Sequence, residues 1–180
     1  QTGAGAKVSS IDGNFTQVGD VTVTVGYSAS ANVLVSATGD IVMGNVTVSG
    51  GSSASAIFDV SSTAGDVTVG NLEVTGGFNA SVSVDIDATG DITVLDLTAS
   101  GGANATIDVD IDSTSGTISM SDVVVTGGTA ADVDVDINGT WDIEVDSLTA
   151  TVGANAEIDI TIDASDITIG DVTASGGNQA

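Results

Sequence analysis

The sequence predicts an all-β protein, a β-solenoid of about seven coils. Three observations support this: a unit of about 25 residues recurs along the chain, apolar and polar residues alternate inside each unit, and a glycine pair falls at the same place in most units. Residues 65–89 read GDVTVGNLEVTGGFNASVSVDIDAT and residues 90–115 read GDITVLDLTASGGANATIDVDIDSTS. The unit recurs at 39–64, 116–140, 141–165 and, truncated, at 166–180, with a looser first copy at 13–38 and residues 1–12 left ahead of it. All of it reads as one repeat domain.

Each unit holds two short strands and one longer one. In 90–115 these are marked by Ile92 and Val94, then Leu97 and Ala99, then Ala105, Ile107, Val109 and Ile111. Such alternation has the period of a strand and not of a helix. The parity slips between the two short strands, at Gly44-Asn45, Gly70-Asn71, Leu95-Asp96, Ser121-Asp122 and Gly170-Asp171, so a turn or bulge is expected there. The glycine pairs Gly50-Gly51, Gly76-Gly77, Gly101-Gly102, Gly127-Gly128 and Gly176-Gly177 separate the second short strand from the long one, and Val25 and Val152 replace the first glycine in two copies. A Thr-Gly-Asp type corner closes the unit. One coil per unit, three-sided, with equivalent strands stacked in parallel about 4.8 Å apart, makes uniform inward columns such as Val46, Leu72, Leu97, Val123, Leu148 and Val172. A glycine pair between alternating strands also fits a hairpin, so an antiparallel β-meander of the same repeats is the alternative.

Composition narrows the function. Lys and Arg total 1, Asp and Glu total 25, and the formal net charge is −24, which disfavours nucleic acid and anionic membranes as partners. Without Cys or His the chain has no disulfide, no thiol or imidazole chemistry and no structural zinc site. A hydrophobic share of 41% and a mean hydropathy of +0.38 indicate extensive burial, yet no stretch approaches the ~18 uninterrupted apolar residues of a membrane span, so no insertion is expected. Gln1 in place of Met suggests a removed leader peptide and an extracellular or cell-surface location.

At GDIVM, GDVTV, GDITV and GTISM the chain resembles the repeats of filamentous haemagglutinin-like adhesins and other bacterial or archaeal surface β-solenoids, filament and sheath proteins among them. The resemblance covers most of the chain and implies an extracellular, fibrous, non-enzymatic role. It transfers no functional residue.

Three groups of side chains are candidates for binding. The longer strands carry alternating acids, and stacking aligns Asp108, Asp134 and Asp159 in one column and Asp59, Asp85, Asp110 and Asp136 in the next. Carboxylates about 5 Å apart repel, and a divalent cation, calcium first, relieves that repulsion; the alternative is a plain solvated face with raised pKa values. The run Asp134-Val135-Asp136-Ile137-Asn138-Gly139 also looks like the start of a calcium loop, although Glu144 stands at its eleventh position and not its twelfth. The second short strand offers Thr and Ser outward, at Thr22, Thr24, Thr47, Ser49, Thr98, Ser100, Thr149, Thr151, Thr173 and Ser175, broken by Glu73 and Val124. That array is the kind of surface found on ice-binding solenoids, and equally what exposed strands favour. Sequons at Asn14, Asn45, Asn79, Asn104 and Asn138 are candidate glycosylation sites.

The expected function is a structural subunit, not an enzyme, that polymerises head to tail into an extracellular filament, pilus-like fibre or sheath. An adhesin segment or an ice-binding solenoid is the alternative. The expected partners are copies of itself and divalent cations, with residues 1–12 completing the coil of a neighbouring subunit. Acid–base chemistry would fall to carboxylates alone, and the corners are too short for the groove of a polysaccharide-cleaving solenoid.

Overall fold

A Val- and Ile-rich strand whose alternate residues are polar buries one face and still needs hydrogen-bond partners along both edges. Coiling meets both needs at once. The computed structural model describes residues 4–178, and those residues form strands, turns and bends with no helix. The first coil is a long strand, β1 (Ala4–Ile11), followed by two short ones, β2 (Phe15–Gln17) and β3 (Val21–Thr24). The pattern repeats as β4 (Ser30–Ala37), β5 (Ile41–Met43) and β6 (Val46–Ser49), then as β7 (Ser55–Ser62), β8 (Val67–Val69) and β9 (Leu72–Thr75). In the next four coils the two short strands run on as one. These coils are β10 (Ser81–Ala88) with β11 (Ile92–Ser100), β12 (Thr106–Ser113) with β13 (Ile118–Gly127), β14 (Asp132–Gly139) with β15 (Asp142–Val152), and β16 (Glu157–Asp163) with β17 (Asp166–Ser175). Residues 1–3 of the segment 1–12 that is expected to complete a neighbouring subunit's coil, together with Gln179 and Ala180, lie outside the described residues.

The long strands form one sheet, in the order β1-β4-β7-β10-β12-β14-β16, and the others form a second. Every pairing is parallel, which decides for the solenoid and against the meander. The parity slip is a corner in the first three coils and a bulge later. In β11 the ladder steps from Val94 to Asp96 past Leu95, while Ile92, Val94, Leu97 and Ala99 stay buried. The described strands therefore group into two sheets, the second bent at the slip, where three separate sides were expected.

Between the sheets lies a narrow core of aligned apolar columns. Val33, Phe58, Val84, Val109 and Val135 make one of them, all essentially inaccessible, and Phe58 is its one aromatic member. The glycine turn packs the coils tightly. The second glycine of each pair stacks on its counterpart one coil back, so that a Cβ on Gly102 would lie 2.8 Å from the backbone of Gly77. Beyond it, one residue per coil adopts a left-handed conformation: Ser28, Ser53, Asn79, Asn104, Ala130 and Asn155, with φ between 52° and 57°. Asn suits this conformation, whereas a Cβ without a polar group gains nothing there.

The opposite corner explains the Gly-Asp signature. The Asn14 side chain accepts the Asp40 backbone N–H (2.9 Å), the Asp40 carboxylate accepts the N–H of Asp66 (3.2 Å), Asp66 that of Asp91 (2.8 Å), and Asp91 that of Thr117 (2.8 Å). Inside the same corner the buried hydroxyl of Ser62 donates to the carbonyl of Gly39 and accepts the N–H of Gly65, and Ser113 does the same with Gly90 and Gly116. Each corner is thus tied to its neighbour by side chains as well as by the sheets.

Two substitutions test this packing. Gly102→Ala should cost about 1–3 kcal/mol through overpacking. Ala130→Asn, which brings the column's own residue type to a left-handed position, should stabilise by about 1 kcal/mol. Equilibrium denaturation of both variants against the native chain measures the two effects, which have opposite sign.

Candidate functional site

A strand that buries Val82, Val84, Ile86 and Ala88 turns Ser83, Asp85 and Asp87 outward, and stacking in register converts such residues into columns. Asp59, Asp85, Asp110 and Asp136 form one, and Asp108, Asp134 and Asp159 a second. Asp87 pairs with Asp112, whose column continues through Asn138 to Asp163. Asp132 and Glu157 pair alongside. The six residues expected to hold a metal, Asp85, Asp108, Asp110, Asp134, Asp136 and Asp159, therefore share one outer face of the long-strand sheet, with about 4.8 Å between neighbouring strands.

Burial and the crowding of like charge raise several of these carboxyls. Burial first, then the charges of Asp87, Asp59, Asp110 and Asp112, push Asp85 up to about 6. Asp87 is raised by burial and then by Asp112 and Asp59. Asp110 is raised by burial and then by Asp112, Asp136, Asp87 and Asp108, and Asp134 by its slight burial and then by Asp136, Asp159, Asp108 and Asp132. Among the described residues no three carboxylates converge as a ready-made metal cluster. The Asp134–Gly139 run is a strand and not a loop, with Val135 and Ile137 buried, and Glu144 belongs to β15 in the other sheet.

Beside the acidic face, two open grooves of about 350 and 530 Å³ follow the corner. Asp112 and Thr114 line both, and Asp87 and Asp163 line one each. The sequence held no sign of these, because they arise where the long strand turns into the corner.

The second sheet presents a different surface. One outward column runs Thr22, Thr47, Glu73, Thr98, Val124, Thr149, Thr173, with the two expected interruptions. The next runs Thr24, Ser49, Thr75, Ser100, Thr126, Thr151, Ser175, hydroxyl throughout. Two of its steps are bridged, Thr75 donating to Ser49 at 3.0 Å and Thr151 meeting Ser175 at 3.2 Å.

Asn14, Asn45, Asn79 and Asn104 are exposed and Asn138 is half-buried within β14. The Asn14 and Asn45 side chains accept backbone N–H groups of the following coil, whereas Asn79 and Asn104 pair amide to amide at 3.1 Å on the glycine turn.

No family model, no curated protein and no solved structure matches this chain.

The raised carboxyls bind protons more tightly in the folded chain than in the unfolded one, where Asp titrates near ~3.9. The favourable contribution grows as pH falls through about 6 toward 4 and is lost as pH rises through about 6. Melting temperature should thus rise as pH is lowered from 7 to about 5. Asp85→Asn should raise it at pH 7 and flatten the dependence. Thermal denaturation at constant ionic strength measures both.

Proposed function

We propose that the chain is a non-catalytic structural subunit of an extracellular filament, pilus-like fibre or sheath, and that copies stack head to tail through their coil edges. The observation that carries this reading is the coil made by β16 and β17. Columns that are closed to solvent inside the rod, at Ile137 and Leu148 for example, emerge partly exposed at Ile162 and, at Val172, 59% exposed. Ile158, Ile160 and Ile169 stand in the same state. Among the described residues β16 pairs only with β14, and β17 only with β15. An open space of about 250 Å³ between Val152, Ile158 and Ala174 leads into the core at this edge.

An unpaired parallel edge above an apolar surface favours addition of another coil. A second copy supplies one with the same repeat. Heterologous contacts of this kind propagate as filaments. Divalent cations, calcium first, bridge carboxylates of adjacent coils along the acidic face and offset their repulsion. Asn79 and Asn104, exposed on the glycine turn, are the sequons best placed to carry a glycan. The unbroken hydroxyl column from Thr24 to Ser175 supports a second reading, an ice-binding or adhesive face, and inhibition of ice recrystallisation by the purified chain tests it.

Electron microscopy of the purified chain should show filaments with an axial repeat of roughly 34 Å, seven coils at ~4.8 Å each. A monodisperse monomer at all concentrations overturns the assembly. Chelation at low salt should lower the melting temperature by several degrees. An unchanged melting curve together with no metal by elemental analysis removes the cations from the proposal.

A further inference from the structure

We propose that Lys7 of one copy seats between Asp159 and Asp163 of the copy it stacks upon, and so sets the register in which β1 adds to the edge of β16 that faces away from β14. The inference rests on the end-to-end reading above. Lys7 is the only basic residue of the chain, is exposed, and stands on the outer side of the long-strand sheet opposite Leu34. Its column runs Lys7, Leu34, Asp59, Asp85, Asp110, Asp136, Thr161. The one cation therefore stands in the column whose four carboxylates give way to a neutral residue, Thr161, in β16.

Continuing the register of β14 and β16 by one coil places Gly5 over Asp159, Ala6 over Ile160 and Lys7 over Thr161. Lys7 then lies diagonally about 8 Å, Cα to Cα, from both Asp159 and Asp163, given ~4.8 Å between strands and ~3.3 Å per residue along them. A lysine spans that distance. Gly5 puts no side chain between Lys7 and Asp159, and Ala6 is small where Ile160 is large. A carboxylate in place of Lys7 would instead extend the acidic face across the joint.

The register is selected in two ways. A slip by one residue turns Lys7 inward onto the isoleucines, an unpaired buried charge. A slip by two keeps the faces but carries the Gly13-Asn14 corner ~7 Å away from the Ser165-Asp166 corner on which it would stack. Polarity follows as well, because two β16 edges brought together would oppose Glu157, Asp159 and Asp163 to one another.

Lys7→Glu should raise the critical concentration for filament growth roughly three- to tenfold at low salt, and the difference should vanish near 1 M salt, where the Debye length is ~3 Å. Adding Asp159→Lys and Asp163→Lys to Lys7→Glu should restore growth. Because the chain has no cysteine, Thr16→Cys with Thr168→Cys, which share one column of the second sheet and leave Lys7, Asp159 and Asp163 in place, reports the register directly: oxidised filaments should run as a ladder of covalent multimers on non-reducing gels. Circular dichroism and melting of each variant verify its fold. Filaments of unchanged critical concentration in Lys7→Glu, or filaments of the double-cysteine variant without a ladder, overturn the role of Lys7 and leave end-to-end growth standing. A native chain that forms no filaments overturns the reading beneath it.

Discussion

The structure depends on one constraint: every strand must hydrogen-bond to its equivalent one turn earlier and one turn later. A coil too thin to enclose a core of its own is stable only when its backbone is paired on both sides and its apolar residues stand on those of its neighbours. The spacing between coils is then set by the ladder and cannot relax to suit the side chains. Stacked glycines such as Gly77 and Gly102 follow from it, since a Cβ at the turn would meet backbone at that spacing. The corner ladder of Asn14, Asp40, Asp66 and Asp91 obeys the same geometry, each side chain lying one coil below the N–H it accepts.

The same ladder makes like charges neighbours. Outward Asp residues on a lone strand would be well solvated and far from other acids, but in register they stand about 5 Å apart over several coils. Burial first, and then this repulsion, raise the pKa of Asp85, Asp87, Asp110 and Asp134 and leave the acidic face open to relief by protons or cations. The crowding is not uniform along the rod. Near β1 and β4 the outer positions of the long-strand sheet hold Lys7, Asn32, Leu34 and Ser36, and on that face carboxylates begin only at Asp59, so the face is electrostatically polar along the rod axis.

The second sheet gives the molecule its other character. Beyond the slip its two outward columns carry hydroxyls interrupted only by Glu73 and Val124, so this surface differs in chemistry from the acidic face while sharing one backbone geometry. That difference comes from the residue at alternate positions alone: Asp in β12 and Thr or Ser in β11 are both outward because Ile107, Val109, Leu97 and Ala99 are inward.

Sequence alone determined the repeat, the strand period, the position of the bulge and the common facing of the acidic residues, because all of these are local: they need only the alternation within a unit and the count of residues between units. The direction of pairing was not local. A glycine pair between alternating strands serves a hairpin and a coil turn alike, and only the closed path from Ala88 through the corner at Gly90 to Ile92, stacked on Val67, shows that the chain goes round and not back. Likewise, nothing in the order of residues revealed that the Asp of each Gly-Asp corner accepts an N–H from the next coil, that the short strands merge after the third coil, or that two grooves follow the corner. Each of these joins atoms about one full turn apart in the chain, and only tertiary stacking brings them within hydrogen-bonding distance.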